Sequence, residues 1–547
     1  MENLLGDLKN KLKIETKNSR EILDSYSRDA SLFKIKPQAV VFPKNTEDIK
    51  NLVRFAREAK SRGENVSLTA RSGGTDMTGG PLTESVVVDM AKHFGRIKEV
   101  GSDFATTEPG VFYRDFDKAT RTRGLILPSY TASREICTVG GMIANNSGGE
   151  KTLTYGKTED YVEELKVVLQ DGNEYVFKPL SPEALEDKKK QDDFEGEIYR
   201  RTFELVKNNY DILQSAKPSV SKNSSGYFLW NVWNKDTGRF DLTKLFVGSQ
   251  GTLGIVTEAR LKLIKPKTHS RLLVIFLKDL HKLADLIGEV LKSKPESFES
   301  YDDHTLRVAV RVFPDLIKKL KGNFFKLLWN FLPEFWMVLT GGMPKLILIA
   351  EFTADTDKEA YEKCVSAKMG IEKFNLPTKV TKTSEESEKY WVIRRESFNL
   401  LRKNVHGLHT APFIDDIIVK PSQLPEFLPK LYNILDQYKI IYTIAGHVGD
   451  ANFHIIPLMD LHKTESRKII TELSEKVYDL VFQFKGSISG EHNDGLIRSP
   501  FLEKMYGPEV YKLFEETKKI FDPDNIFNPG KKVGASLDYS LNHLDVS

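Results

Sequence analysis

The sequence predicts an α+β protein of two domains, the second built on an antiparallel sheet, and three observations predict it. At 547 residues the chain exceeds what one hydrophobic core usually supports. From residue 35 to about 266, short β-branched runs alternate with helical patterns and glycine-rich turns. After "KPKTHSRLLVIFL" the alternation of strand and helix begins afresh, which marks a boundary near residue 266. No period of roughly 20 to 50 residues repeats, so a solenoid is excluded.

Residues 1–34 are charged, without a continuous apolar segment, and are expected to form a helical extension rather than a signal peptide. "PQAVVFP" follows as a short buried strand closed by prolines. "NTEDIKNLVRFAREAKSRG" is a helix: Asn45 or Thr46 caps it, Ile49, Leu52, Val53 and Ala56 share one face, and Gly63 ends it. "VSLTA" and "SVVVDM" are strands on either side of the glycine-rich "RSGGTDMTGGP". A lysine-rich span of about 180–235 is expected as a solvated helical insertion, before strand character returns in "LFVGSQGTLGIVTEARLKLI". The second domain, 267–500, runs strand, helix, an aromatic insertion at about 313–345, strand and helix; a segment 501–532 and a tail 533–547 follow.

The charge balance, 80 basic against 77 acidic side chains, lacks the basic excess of a phosphate-contacting nucleic-acid binder. Two cysteines, Cys137 and Cys364, are too few for a disulfide framework or a cysteine-ligated iron–sulfur cluster, and a reducing, cytoplasmic setting fits best. The aromatic insertion is broken by Lys326, Pro333, Glu334 and Gly341, so it cannot span a bilayer. It leaves two readings: a helix pair packed in the second domain, or a peripheral contact of 324–339 with the inner face of a membrane.

Three glycine-rich loops carry the first chemical signal. In "RSGGTDMTGG" consecutive glycines let backbone N–H groups converge on one point, and Arg71, Ser72, Thr75 and Thr78 add donors, which suits a diphosphate. "TVGGMIANNSGGEKTLTYGKTEDYV" supplies Gly140, Gly141, Gly148 and Gly149 for close backbone approach, with Asn145, Asn146 and Ser147 as polar partners. "GTLGIV" enters a strand whose backbone can meet a heterocycle edge. Each alone reads equally as a structural turn; together they describe one elongated nucleotide site.

These loops, with "YSRDASLFKIKPQAVVFPKNTEDIKNLVRFA", resemble the FAD-binding domain of the vanillyl-alcohol oxidase and para-cresol methylhydroxylase (PCMH) superfamily, in the D-lactate, glycolate and D-2-hydroxyglutarate dehydrogenase branch, over about residues 25–532. The resemblance implies a two-part PCMH-type FAD domain, to which 501–532 returns, and a substrate-binding cap domain. It places Arg71, Ser72, Gly73, Gly74, Thr75, Asp76 and Gly79 around the FAD pyrophosphate. Ser129, Thr138, Gly140, Gly141, Ala144, Asn145, Asn146, Gly148 and Gly149 line the cofactor, and Gly254, Ile255, Val256 and Asn528 complete its site. Relatives that tether flavin through histidine carry it where this chain has Thr75, so FAD is expected to bind non-covalently; Cys137 is a second conceivable tether.

"AGHVGDANFH" sets two histidines seven residues apart in a strand–turn–strand, with Asn452 and His454 on one strand face. With Glu491 of "SISGEHNDG" they make a two-histidine, one-carboxylate set; the alternative is a histidine pair hydrogen-bonded in a turn. By resemblance, His447, His454 and Glu491 bind a divalent metal (zinc, manganese or iron), His492 is the base, and Arg394 of "YWVIRRESF" with Asn452 fixes the substrate carboxylate. The expected reaction is oxidation of a small D-2-hydroxy acid of the D-lactate kind, with electrons passed to a quinone or a separate electron-transfer protein. D-2-hydroxyglutarate or glycolate oxidation, an oxygen-using oxidase and a non-catalytic nucleotide binder are the alternatives. Ile414 stands where the 2-hydroxyglutarate enzymes carry lysine, and Ala451, Asn493 and Gln250 also depart from the family pattern.

Overall fold

The computed structural model describes residues 5–303, 343–404 and 407–546, without the side chains of 396–404. The aromatic insertion and its proposed membrane contact at 324–339 lie outside the described residues.

The first part holds two sheets. β1 (Glu15–Lys17), β2 (Ala39–Phe42), β3 (Leu68–Arg71) and β4 (Val86–Asp89) are ordered β1-β2-β4-β3, with β4 parallel to both β2 and β3. α1 (Thr46–Ser61) makes the crossover between β2 and β3; Asn45 accepts from the Asp48 N–H as its cap, and Ile49, Leu52, Val53 and Ala56 are fully buried. Burying such a stripe contributes about 1.5–3 kcal/mol for each large aliphatic side chain. The segment ahead of β2 is only partly helical: after a short π-helix at Asp7–Lys11 it adds β1 to the sheet edge, antiparallel to β2, before a helix at Arg20–Ser25. Three residues are too few for a readable strand period.

The second sheet is antiparallel throughout: β5 (Ile97–Val100), β6 (Phe104–Thr107), β7 (Val162–Val168), β8 (Glu174–Phe177) and β9 (Ile255–Lys262), ordered β5-β6-β9-β7-β8. The polar span about 180–235 packs onto it instead of standing free. Helix Phe194–Asn208 buries Ile198, Tyr199, Thr202, Leu205 and Val206, an i, i+3, i+4 stripe that the surrounding lysines and glutamates obscure.

The third sheet has eight described strands: β10 (His269–Leu277), β11 (Ser297–Asp302), β12 (Leu346–Ala354), β13 (Thr378–Val380), β14 (His409–Thr410), β15 (Ile417–Ile418), β16 (Ile441–His447) and β17 (Asn452–Met459). All its pairings are antiparallel, with helices Leu283–Lys292, Asp357–Gly370, Leu424–Leu435 and Thr464–Gln483 packed with it in one core. The chain then recrosses: helix Leu502–Phe521 shares the second sheet's core, and Phe527 bridges to Leu68 beside the glycine loop. The tail is ordered too, since Leu544 bridges to Phe33 and Asp545 pairs with Arg28.

Candidate active site

A cavity of about 850 Å³ runs from the loop after β3 to the end of the β16–β17 hairpin. One end is made of backbone. Ser72, Gly73, Gly74, Thr75 and Asp76 line it, joined by Thr138, Gly140, Gly141, Ala144, Asn145, Gly148 and Gly149, and by Gly254 and Val256 at the start of β9. Two glycines are there for closeness: a Cβ on Gly73 would lie 2.5 Å from the Ile136 carbonyl oxygen, and one on Gly149 2.3 Å from that of Tyr130. Asp76 ties the loop together, accepting from the Gly80 N–H at 2.8 Å and the Asn145 amide at 2.6 Å. Beside it, burial and the Asp76 charge push the Asp29 carboxyl up to about 7. Cys137 also lines the cavity; burial raises its thiol above the ordinary range, away from the thiolate a covalent tether would need.

Several expected cofactor residues stand behind this wall instead. The Arg71 guanidinium turns away, donating to the Tyr26 and Arg28 carbonyls at 3.2 and 2.7 Å. A side chain on Gly79 would strike Phe33 and Leu496, and Ile255 belongs to the α1 core. Ser129 pairs with Thr158; Asn146, at φ 49°, ends the helix Val139–Asn145 and bonds Glu159. Asn528 donates to the Gly80 and Gln250 carbonyls at 2.9 and 2.8 Å, clamping two glycine loops from outside. Hydrogen-bonding residues in a loop are read equally as ligands or as braces, and only the fold separates the two.

The other end is made of side chains. β16 ends at His447, and the antiparallel register Ala445↔His454 puts both imidazoles at the hairpin mouth. Their Nε2 atoms lie 2.8 and 3.2 Å from Glu491 Oε1. Each Nδ1 is backed by a buried carboxylate, Glu299 on β11 at 2.6 Å from His447 and Asp415 at 3.1 Å from His454. Asp415 also stands 2.6 Å from His492 Nδ1, and the His454 and His492 rings stack at 4.9 Å. Asp416 explains how neighbours 491 and 492 aim at one site: its carboxylate accepts from both their N–H groups, at 2.9 and 2.7 Å, and its carbonyl from Gly490, bending the chain.

Burial opposes charge on every group here, and partners overcome it. Asp415 is held well below the carboxylate range by His492 and His454. His454 is pushed up to about 10, burial being outweighed by Asp415 and Glu491. Glu491 is held well below its usual range by Lys222 and His447 despite burial. Lys222, fully buried, lies 3.9 Å from Glu491 and 3.5 Å from Asp450.

Arg394, on helix Ser384–Asn404, lines the cavity 3.1 Å from Glu299, and its buried Nε has no partner. Asn452 does not line it. Its fully buried amide donates to Asp416 and Ile417 at 3.0 and 3.2 Å and accepts from Lys222, so the strand face it shares with His454 is covered at that point. Ile414 is likewise buried in the core of the third sheet. Glu299, Asp415, Asp416 and Lys222 escaped the sequence reading. The only trace was Asp415-Asp416 inside the apolar run "APFIDDIIVK", a place where carboxylates need partners.

The donor set meets a divalent cation's needs. The ligand atoms of His447, His454 and Glu491 lie within 4.8 Å of one another, the imidazoles are oriented from behind by carboxylates, and buried Glu491 Oε2 has no hydrogen-bond partner.

Residues 37–177 match the FAD binding domain family, and residues 266–532 match the FAD linked oxidases, C-terminal domain. D-2-hydroxyglutarate dehydrogenase of Pseudomonas putida is 28% identical over 92% of this chain and 49% of its own length, so the chain spans about half of that relative. D-lactate dehydrogenase of Archaeoglobus fulgidus is 26% identical over 93% of this chain and 96% of its own. In structure, 4-ethylphenol oxidase from Gulosibacter chungangensis superposes with a TM-score of 0.67 at 17% identity, covering 97% of this chain and 96% of that one. The backbone-lined cleft and the matched domains agree: this chain belongs to the FAD-linked oxidases, with an FAD-binding domain whose fold is shared with 4-ethylphenol oxidase joined to an FAD-linked oxidase C-terminal domain.

Proposed function

We propose that the protein oxidises a small D-2-hydroxy acid of the D-lactate kind to the 2-oxo acid, with FAD bound non-covalently and a divalent metal at His447, His454 and Glu491. The observation that carries it is His492, aimed by Asp415 into the same cavity end as that triad and Arg394.

FAD, when bound, supplies the acceptor for the hydride from the substrate Cα. A divalent cation at the triad would supply Lewis acidity toward the substrate hydroxyl. The remaining work falls to the chain. Asp415 keeps the His492 proton on Nδ1, which leaves Nε2 free to take the hydroxyl proton as general base. Arg394 presents its fork to the substrate carboxylate, and Glu299, shared by Arg394 and His447, fixes the angle between the two. The glycine-lined end holds the nucleotide through backbone N–H groups, with no arginine required.

A second reading, D-2-hydroxyglutarate oxidation, is favoured by the name of the Pseudomonas relative. The electron acceptor proposed is a quinone or a separate electron-transfer protein in a cytoplasmic setting, with peripheral membrane contact through 324–339. Among the described residues no helix is long and apolar enough to cross a membrane.

The test is the absorption spectrum of the purified protein, followed by anaerobic addition of D-lactate, D-2-hydroxyglutarate and their L-forms. Bleaching of the flavin band by a D-acid alone is the expected result, lost on chelation and restored by added zinc or manganese. A flavin band that no D-acid bleaches would remove the substrate class.

A further inference from the structure

The substrate end of the cavity contains two consecutive arginines, and each already faces a carboxylate. Arg394 turns to Glu299 and the histidine hairpin. Arg395, about 100° further round the same helix, turns to Glu150 beside the second glycine loop, with two hydrogen bonds of 2.6 and 3.0 Å. The pair is held from both sides: the Arg395 guanidinium lies over the Trp391 ring at 4.6 Å, and the Tyr130 hydroxyl donates to Glu150 at 3.2 Å. Arg134 approaches the same carboxylate at 4.0 Å. The cavity lining also includes the uncharged Thr410, Thr443, Ala445 and Ile456.

Tyr130, Glu150 and Arg395 also border a second chamber of about 270 Å³. Beyond them it carries Glu351 and Glu388, with Lys151 as the one further cation among the described residues, shared between Glu296 and Glu351. A substrate substituent that reaches this partition therefore meets a neutralised arginine, and acidic groups behind it.

Resting on the 2-hydroxy-acid reading above, we infer that Glu150 is a specificity-determining residue: by occupying Arg395 it restricts the site to acids with an uncharged substituent and excludes a second carboxylate. Arg395 spends both Nε and a terminal nitrogen on Glu150, whereas Arg394 keeps a buried Nε unpartnered beside its Glu299 contact, so Arg394 is the one left for the carboxylate next to the reacting carbon. Removing the Glu150 charge releases Arg395, whose planar fork is suited to a distal carboxylate.

The test uses the FAD- and metal-loaded protein and compares D-2-hydroxybutyrate with D-malate, acids of similar length that differ in the terminal charge. Rates of anaerobic flavin reduction give the ratio of kcat/KM for the two. The wild type is expected to favour the monocarboxylate, and Glu150→Gln to shift the ratio ~10-fold or more toward D-malate. The double variant Glu150→Gln/Arg395→Met should lose that shift, because the gain runs through Arg395. FAD content and Tm of each variant report folding. Should Glu150→Gln not fold, the wild-type ratio still decides, since a preference for the dicarboxylate overturns the inference. Flavin reduction with a ratio unaltered in folded Glu150→Gln overturns it as well, and leaves the proposed function standing. No reduction by these acids or by D-lactate overturns both.

Discussion

Asp415→Asn is the substitution that tests the site most directly. Asp415 is fully buried and its two oxygens serve two imidazoles, 3.1 Å from His454 Nδ1 and 2.6 Å from His492 Nδ1. Asparagine keeps the shape but carries one acceptor oxygen and one donor amide. It can accept from one ring only; the amide forces the other ring to offer a bare Nδ1, which moves that ring's proton to Nε2. In the proposed function Nε2 serves as metal ligand on His454 and as base on His492, so on that reading one of the two roles fails. A hydrogen bond to a charged group contributes ~1.5–3 kcal/mol, and ~1.4 kcal/mol is a factor of ten, so flavin reduction by D-lactate should slow ~10–100-fold. The pH profile moves as well. Burial lowers the His492 pKa, but Asp415 and Asp416 outweigh it and hold it above the ordinary histidine value. A base works unprotonated, so the rate rises with pH through that value. Without the Asp415 charge the value falls, and the rising limb should shift to lower pH while its plateau drops. Stopped-flow bleaching over roughly pH 5 to 9 measures both, and Asp415→Glu, which retains the charge, should recover part of the plateau. A plateau within ~2-fold of wild type, or an unmoved limb, would refute this account of His492.

Gly149→Ala places a methyl 2.3 Å from the Tyr130 carbonyl oxygen, so the loop must open; gel filtration should yield protein depleted of FAD with unaltered helix content, and full flavin retention would contradict the close-approach argument. Asn452→Ala strips a partner from buried Asp416 and Lys222. It should cost ~1–3 kcal/mol, seen as a lowered Tm in calorimetry, while KM for the acid, which Asn452 does not face, stays within ~2-fold. In metal-free protein His454 sits near 10 instead of its ordinary 6.5. Its contribution to stability is therefore complete below about 6.5 and disappears as pH rises through about 10. The Tm difference between wild type and His454→Asn in chelator should narrow over that window, and a constant difference would speak against the Asp415–His454 pairing.

The sequence by itself determined whatever is written in local pattern. The α1 stripe, the buried strands and the hairpin carrying His447 and His454 were legible because apolar periodicity and glycine punctuation are properties of neighbouring residues. The glycine loops were legible as a nucleotide site because close backbone approach demands glycine wherever the chain is folded. Departures from the family pattern were informative too: Ala451, Asn493 and Gln250 all take left-handed backbone, at φ 55°, 72° and 53°. Asn493 compensates through its amide, which donates to the Asn145 and Gly248 carbonyls.

Tertiary structure decided which polar residues face the cavity and which brace it. Arg71, Asn146, Asn452 and Asn528 are ligands by the family resemblance, yet each makes its hydrogen bonds to backbone or side chains behind the wall. Conversely, Glu299, Asp415 and Lys222 come from three distant segments, and only Asp415, within an apolar run, carries any local trace. A buried charge is tolerated only beside its counterpart, and that neighbourhood exists only once strands separated by more than a hundred residues lie side by side.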